Sequence, residues 1–209
     1  MGMRAHLRQI TPFELKKFQL NPKSVSIAIQ GKHTEKHAAM IDALSQLEPI
    51  SKKVRELNLG PEETKRAQNE MFQKIAAIAG GFGTESGQES LDLEKSWHVL
   101  HYLLTGSASE APAPLGNAIL GGSEIGDDLG YGPSRFLTPA QVREVFSALS
   151  SISKEDLANR FDLEAMMAAN IYPVQDESEL GLAQEYFGEL SRFYAAAAAA
   201  GNAMLLYLV

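Results

Sequence analysis

Glu94, His98 and His101 are spaced so that a single helix would present a carboxylate and two imidazoles on one face, at i, i+4 and i+7. Such a trio is a possible set of metal ligands. Helical zinc sites, however, pair histidines four residues apart rather than three, and nothing nearby in sequence supplies a further ligand. The plainer reading is preferred: Glu94 and His98 form a surface pair, His101 is a hydrogen-bonded and partly buried histidine, and no metal is expected. Trp97, the only tryptophan, falls on the adjoining apolar face. It is read first as core, with its indole N–H bonded, and second as a platform on which a ligand could stack.

The second chemically interesting stretch runs over residues 121–135. Six glycines and prolines there allow tight turns and close backbone approach, and among them sit Glu124, Asp127, Asp128, Tyr131 and Arg135. Glu124 with Asp127 offers the two carboxylates that glycoside hydrolysis needs. Acids in loops are more often solvated or capping a turn. Arg135, in the short apolar segment Arg135-Phe136-Leu137, wants an anionic partner. Asp127 or Asp128 would serve structurally, an anionic ligand functionally, and the structural pair is preferred. A phosphate loop is excluded, since no helix bearing Lys and Ser or Thr follows. Gly130-Tyr131-Gly132-Pro133 begins like a dinucleotide fingerprint but lacks the third glycine. No Gly-x-Ser-x-Gly elbow is present.

Bulk properties remove further classes. The chain has 209 residues, a net charge of −7 and no cysteine, with 44% hydrophobic and 22% charged residues. That composition is ordinary for a globular protein. Its basic residues are scattered, so neither phosphate backbones nor anionic membranes are expected partners. Thiolate metal sites, catalytic thiols and disulfides are ruled out, and a cytoplasmic location is expected. The N-terminus lacks the apolar run of a signal peptide. The apolar stretch 194–209 is shorter than the roughly 20 residues a spanning helix needs, and Gly201-Asn202 interrupts it.

The elements that must carry these residues are legible in part. Residues 3–10 alternate, with Met3, Ala5, Leu7 and Gln9 on one side and Arg4, His6, Arg8 and Ile10 on the other, which predicts a half-buried strand. Thr11-Pro12-Phe13-Glu14 is a capping box with proline at the first helical position, so a helix starts there and ends before Asn21-Pro22. Within 22–90 the pattern predicts helices over 36–47, 51–57 and 61–79. Leu93, Trp97, Leu100 and Leu104 predict a central helix over 91–104, stopped by Gly106. Residues 105–137 read as loop, with a helical turn near 115–120. Thr138-Pro139-Ala140-Gln141 is a second capping box, opening a helix to about Leu149. Shorter helices follow from Ser153 and Asp162, then a long helix over 177–200 ending in six alanines. The almost wholly apolar 203–209 predicts a central strand.

Trp97-His98-Val99-Leu100-His101-Tyr102-Leu103-Leu104-Thr105-Gly106, Gly121-Gly122-Ser123-Glu124-Ile125-Gly126 and Gly130-Tyr131-Gly132-Pro133-Ser134-Arg135 occur in one order. With the opening Met1-Gly2-Met3, Ile171-Tyr172-Pro173 and the ending Gly201-Asn202-Ala203-Met204-Leu205, the combination resembles the YfbM-like family of bacterial proteins (domain of unknown function 1877). The likeness covers residues 1–20 and about 90–209. It implies an α+β fold and a bacterial source, and it implies no activity.

The expected architecture is a mostly helical α+β single domain over 1–209. It has a helical insertion at about 22–90 and a small antiparallel sheet containing both terminal strands. Function is expected to be a protein-interaction or binding module. The alternative is a small-molecule-binding domain or enzyme with a cleft between the 91–104 helix and the 121–135 loop. That cleft would be lined by Trp97, His98, His101, Asp127, Tyr131 and Arg135. No cofactor is expected, and the partner is a protein or a small molecule. Within the fold, His101 is expected to be buried within reach of the Gly-rich loop, and Arg135 to pair with an acid of that loop.

Overall fold

The structure is a computed structural model that describes residues 2–29 and 90–209. The chain divides into two compact units, Met1–Ser26 with Glu89–Val209, and Ile27–Gln88. The helices expected over 36–47, 51–57 and 61–79 lie outside the described residues. Of the second unit, only 27–29 are described, and they are helical.

The first unit is built on one five-stranded antiparallel sheet of order β2-β1-β5-β4-β3, formed by β1 (Ala5–Ile10), β2 (Ser90–Asp92), β3 (Ser123–Asp128), β4 (Pro133–Leu137) and β5 (Ala203–Leu208). The terminal strands pair along their whole length, from Ala5↔Leu208 to Ile10↔Ala203. β5 lies between β1 and β4, which explains its unbroken apolar sequence: a central strand meets side chains on both faces.

The sheet has two different faces. Leu7, Leu91 and Leu206 are in register across the three strands, and all belong to the main hydrophobic core. Because side chains alternate along a strand, His6, Asp92 and Tyr207, in register one residue on, point the other way. Ile10 and Leu205 share that second face and are buried outside the main core.

The helices follow their caps. Thr11 and Glu14 close the box that opens α1 (Pro12–Leu20), and Thr138 with Gln141 closes the one that opens α3 (Pro139–Leu149). Leu15 and Phe18 of α1 are buried apart from the main core, and α1 lies against β3. On the first face, α2 (Trp97–Thr105), α3, α4 (Lys154–Arg160), α5 (Leu163–Ala168) and α6 (Ser178–Ala200) bury Leu100, Val142, Leu157, Met166 and Leu190 in one cluster. The alanine run of α6 brings Ala197 into that core, fully buried. Among the described residues no helix is long and apolar enough to cross a membrane.

Two sequence expectations are corrected. Residues 91–104 are not one helix. Leu91 and Leu93 alternate into the core from β2, Glu94 takes a left-handed conformation at φ 51°, and the helix begins only at Trp97. The Leu91–Leu93 spacing carries period 2, which was submerged in the stronger helical period that follows. Residues 121–135 are not loop either: they form the β3–β4 hairpin, with a bulge between Ile125 and Asp128. Gly122 sits at its entry with φ 96°, where a Cβ would stand 2.6 Å from the Phe136 carbonyl oxygen, so glycine is required there.

Candidate functional site

Helix α2 places Trp97, His98 and His101, and the short segment after it meets two of them. Gly106, at φ 74°, ends the helix and reverses the chain, which returns as residues 107–111. That return carries the carbonyls that the two histidines need.

His98 uses both ring nitrogens. Nδ1 accepts the Tyr172 backbone N–H at 3.0 Å, so Nε2 must hold the proton, and it donates to the Ala108 carbonyl at 2.8 Å. A second proton would have to displace the Tyr172 bond. Burial depresses the His98 pKa, and the bond to Ala108 offsets only part of that. His101 is fully buried, and its Nε2–H donates to the Ser109 carbonyl at 2.6 Å. Its Nδ1 is buried without a hydrogen-bond partner. Burial lowers the His101 pKa as well, with the nearby His98 acting in the same direction. Both imidazoles are therefore neutral structural groups. Trp97 is buried, its indole N–H donates to the Met3 carbonyl at 3.2 Å, and its ring stacks on His98 at 4.6 Å between centroids.

Glu94 does not join the histidines. It lies before the helix and pairs with Arg4, which also bridges to Asp92 at 2.7 Å. The trio that shares a face in an ideal helix is thus separated by the β2-to-α2 turn. Among the described residues no group of three or more histidines and acids is placed to hold a metal ion.

Arg135 pairs with an acid of the 121–135 stretch, as expected, but with Glu124 rather than Asp127 or Asp128. The hairpin register sets Glu124 opposite Arg135, and Nη2 donates to Glu124 Oε1 at 2.9 Å. The same nitrogen reaches Glu110, which sequence reasoning did not single out, and Nη1 donates to the Gly122 carbonyl at 3.3 Å. Asp128 is engaged elsewhere: its Oδ1 accepts the N–H groups of Gly130 and Gly132, fixing the hairpin turn. Asp127 and Tyr131 project from this end, both exposed, Tyr131 at 50%.

The six expected residues therefore fall into two groups. Trp97, His98 and His101 lie inside the helix-side packing, Asp127 and Tyr131 lie at the hairpin tip, and Arg135 stands between. Residues 108–110 link them: Ala108 and Ser109 receive the histidines, and Glu110 meets Arg135. His101 is buried as expected, but its acceptor belongs to this return segment and not to the 121–135 stretch. The only forewarning of Glu110 was an acid isolated among small residues in 107–114.

Comparison with known proteins gives three likenesses. The family model described as "Domain of unknown function (DUF1877)" matches residues 1–207. Protein YfbM of Escherichia coli (strain K12) is 30% identical over 93 residues, which are 43% of this chain and 55% of that protein, so the match spans about half the relative's length. The crystal structure of YfbM from Escherichia coli, a protein of unknown function, aligns over 99% of both chains with a TM-score of 0.53 and 18% identity. At that identity the structural likeness concerns the fold alone.

Proposed function

Because the chain belongs to the DUF1877 family, which is defined by a domain of unknown function, we propose from its own geometry that it is a protein-binding module. Its working surface is the β3–β4 hairpin tip. One observation carries this reading. Trp97, His98, His101 and Arg135 all spend hydrogen-bonding groups inside the fold, while Tyr131 keeps its ring at the surface.

Aromatic side chains held out on a rigid turn are the residues that anchor protein contacts, since they bury a large area at low entropic cost. The turn here is rigid because Asp128 ties down two of its backbone N–H groups. Asp127, exposed near the end of β3, adds negative charge, which favours a partner with a cationic patch. The absence of cysteine agrees with work in the cytoplasm.

The test is site-specific photocrosslinking in a bacterial host, with a photoreactive phenylalanine at position 131. Met167, exposed at 56% on the unrelated helix α5, provides the control position. A discrete protein adduct from position 131, absent from position 167 and weakened by raised salt, is expected. Identical adduct patterns from both positions would overturn the reading. A metabolite that stabilises the wild type but not His98→Ala would replace it with the small-molecule alternative.

A further inference from the structure

Helix α1 turns two sides to different surroundings. Leu15 and Phe18 are buried, while Phe13 and Leu20, on the opposite side, are 66% and 79% exposed. Residues three, four and seven apart share a face of a helix, so Phe13, Lys16, Lys17 and Leu20 form one exposed stripe. The two lysines flank a line that runs from Phe13 to Leu20. Lys17 Nζ lies 4.5 Å over the Phe13 ring, which helps to hold that aromatic in place. Among the described residues neither lysine forms an ion pair. In a chain of net charge −7, this is an apolar surface with a locally positive rim.

The same edge of the sheet carries its complement. α1 lies against β3, and the segment that follows α1 reaches Gly126. A Cβ there would stand 3.2 Å from Val25 Cβ and 3.3 Å from the Pro22 carbonyl oxygen. Asp127 comes next in β3, exposed and, among the described residues, without an ion pair. The turn beyond it presents Tyr131 at 50% exposure. An acid and an aromatic thus stand near two lysines and two apolar side chains, and both patches are exposed within one chain.

We propose that the partner of the hairpin tip is a second copy of this chain. Tyr131 of one protomer packs on the apolar line from Phe13 to Leu20 of the other, and Asp127 meets Lys16 and Lys17. The proposal rests on the hairpin tip being a binding surface, and it names the cationic patch which that surface meets. Because the two patches neighbour each other on one edge of the sheet, a two-fold axis makes the contact twice and closes the assembly as a dimer. Aromatic anchors in an apolar seat supply the affinity, and the opposite charges fix the register. The charges also exclude the alternative of hairpin against hairpin, which would set acid against acid.

Sedimentation velocity of the full chain over a concentration series, at fixed ionic strength, tests this. A reversible monomer–dimer equilibrium is expected, and Tyr131→Ala should weaken it about thirtyfold. The double variant Lys16→Glu/Lys17→Glu and the single variant Asp127→Lys should each remain monomeric. An equimolar mixture of the two should dimerise again, because both contacts then set an acid against a base. A wild type that stays monomeric at every concentration would overturn the second copy as partner. So would a dimer that both charge reversals leave intact, or variants that the mixture does not rescue. A monomeric wild type whose position 131 still crosslinks a different protein would overturn the dimer and leave the hairpin reading standing. Identical adducts from positions 131 and 167 would overturn both.

Discussion

In α2 the histidines turn inward onto backbone carbonyls, whereas in the β3–β4 hairpin the reactive types turn outward, Asp127 and Tyr131 into solvent and Arg135 onto two glutamates. Both regions are rich in residue types that perform chemistry elsewhere. What separates them is the backbone around each. The return after Gly106 runs alongside α2 and needs its carbonyls satisfied, so it consumes the imidazoles. The hairpin satisfies its own backbone through pairing and through Asp128, so its tip side chains stay available. Residue type alone does not mark a site; what the neighbouring backbone demands of the side chain decides it.

The strongest way to break the comparison is His101→Ala. A fully buried donor to the Ser109 carbonyl is expected to cost about 1–3 kcal/mol in a urea melt, with cavity loss pushing toward the upper end. An unchanged midpoint would mean that the imidazole is not structural, and α2 would rejoin the candidate surface.

Acidification sharpens the same contrast. Both His98 and His101 have folded pKa values below the ordinary 6.5, because burial disfavours their charged forms. The unfolded chain then takes up protons first, so stability is full above the unfolded value and falls as pH drops below it. The loss levels off once the folded pKa is passed. Urea midpoints should therefore decline on the acid side of 6.5, and the decline should be shallower in His98→Gln. A midpoint that is flat between neutrality and pH 5 would contradict neutral, buried imidazoles.

How much of this could be read from the sequence differs between the regions for the same reason. The caps at Thr11 and Thr138, the long helix stopped by Gly201 and the pairing of the two terminal strands are local or strongly patterned signals, and all are present. The Leu91 strand and the hairpin were hidden. β2 spans only Ser90–Asp92, too short to show alternation. The hairpin strands carry glycine, aspartate and proline, residues depleted in strands, because they lie toward the sheet's edge and contain a bulge. Arg135 was recognised as needing an acid, yet its partners depended on a register that no local pattern announces. That His6, Asp92 and Tyr207 stand in one row across the second face was out of reach altogether, since it depends on the register of three strands far apart in the chain.

Arg135→Ala tests the middle ground between the regions. Its guanidinium is largely covered, with side-chain exposure of 24%, but Glu110 and Glu124 are 67% and 60% exposed. The orphaned carboxylates would be solvated rather than stranded, so the expected cost is about 0.5–1 kcal/mol, shrinking in high salt. A loss of several kcal/mol would show that the hairpin depends on this pair for its register.

The smallest effect on stability is expected at Tyr131, and there the comparison is most exposed to refutation. Tyr131 sits in the turn that Asp128 closes through Gly130 and Gly132, and neither of those bonds uses the tyrosine side chain. Half of the residue is already in water, so truncation to alanine removes little buried area. A surface change of this kind should move the unfolding free energy by no more than about 0.5 kcal/mol. If Tyr131 anchors a partner, the same substitution should weaken that association by about 2 kcal/mol, as buried aromatic anchors do. The quantity to measure is the ratio of the two effects, from a urea melt of the isolated chain and an affinity measurement with the partner captured at position 131. A variant that loses stability and binding in proportion would place Tyr131 among the structural residues with His101, and the division between an inward-facing helix and an outward-facing hairpin would fail.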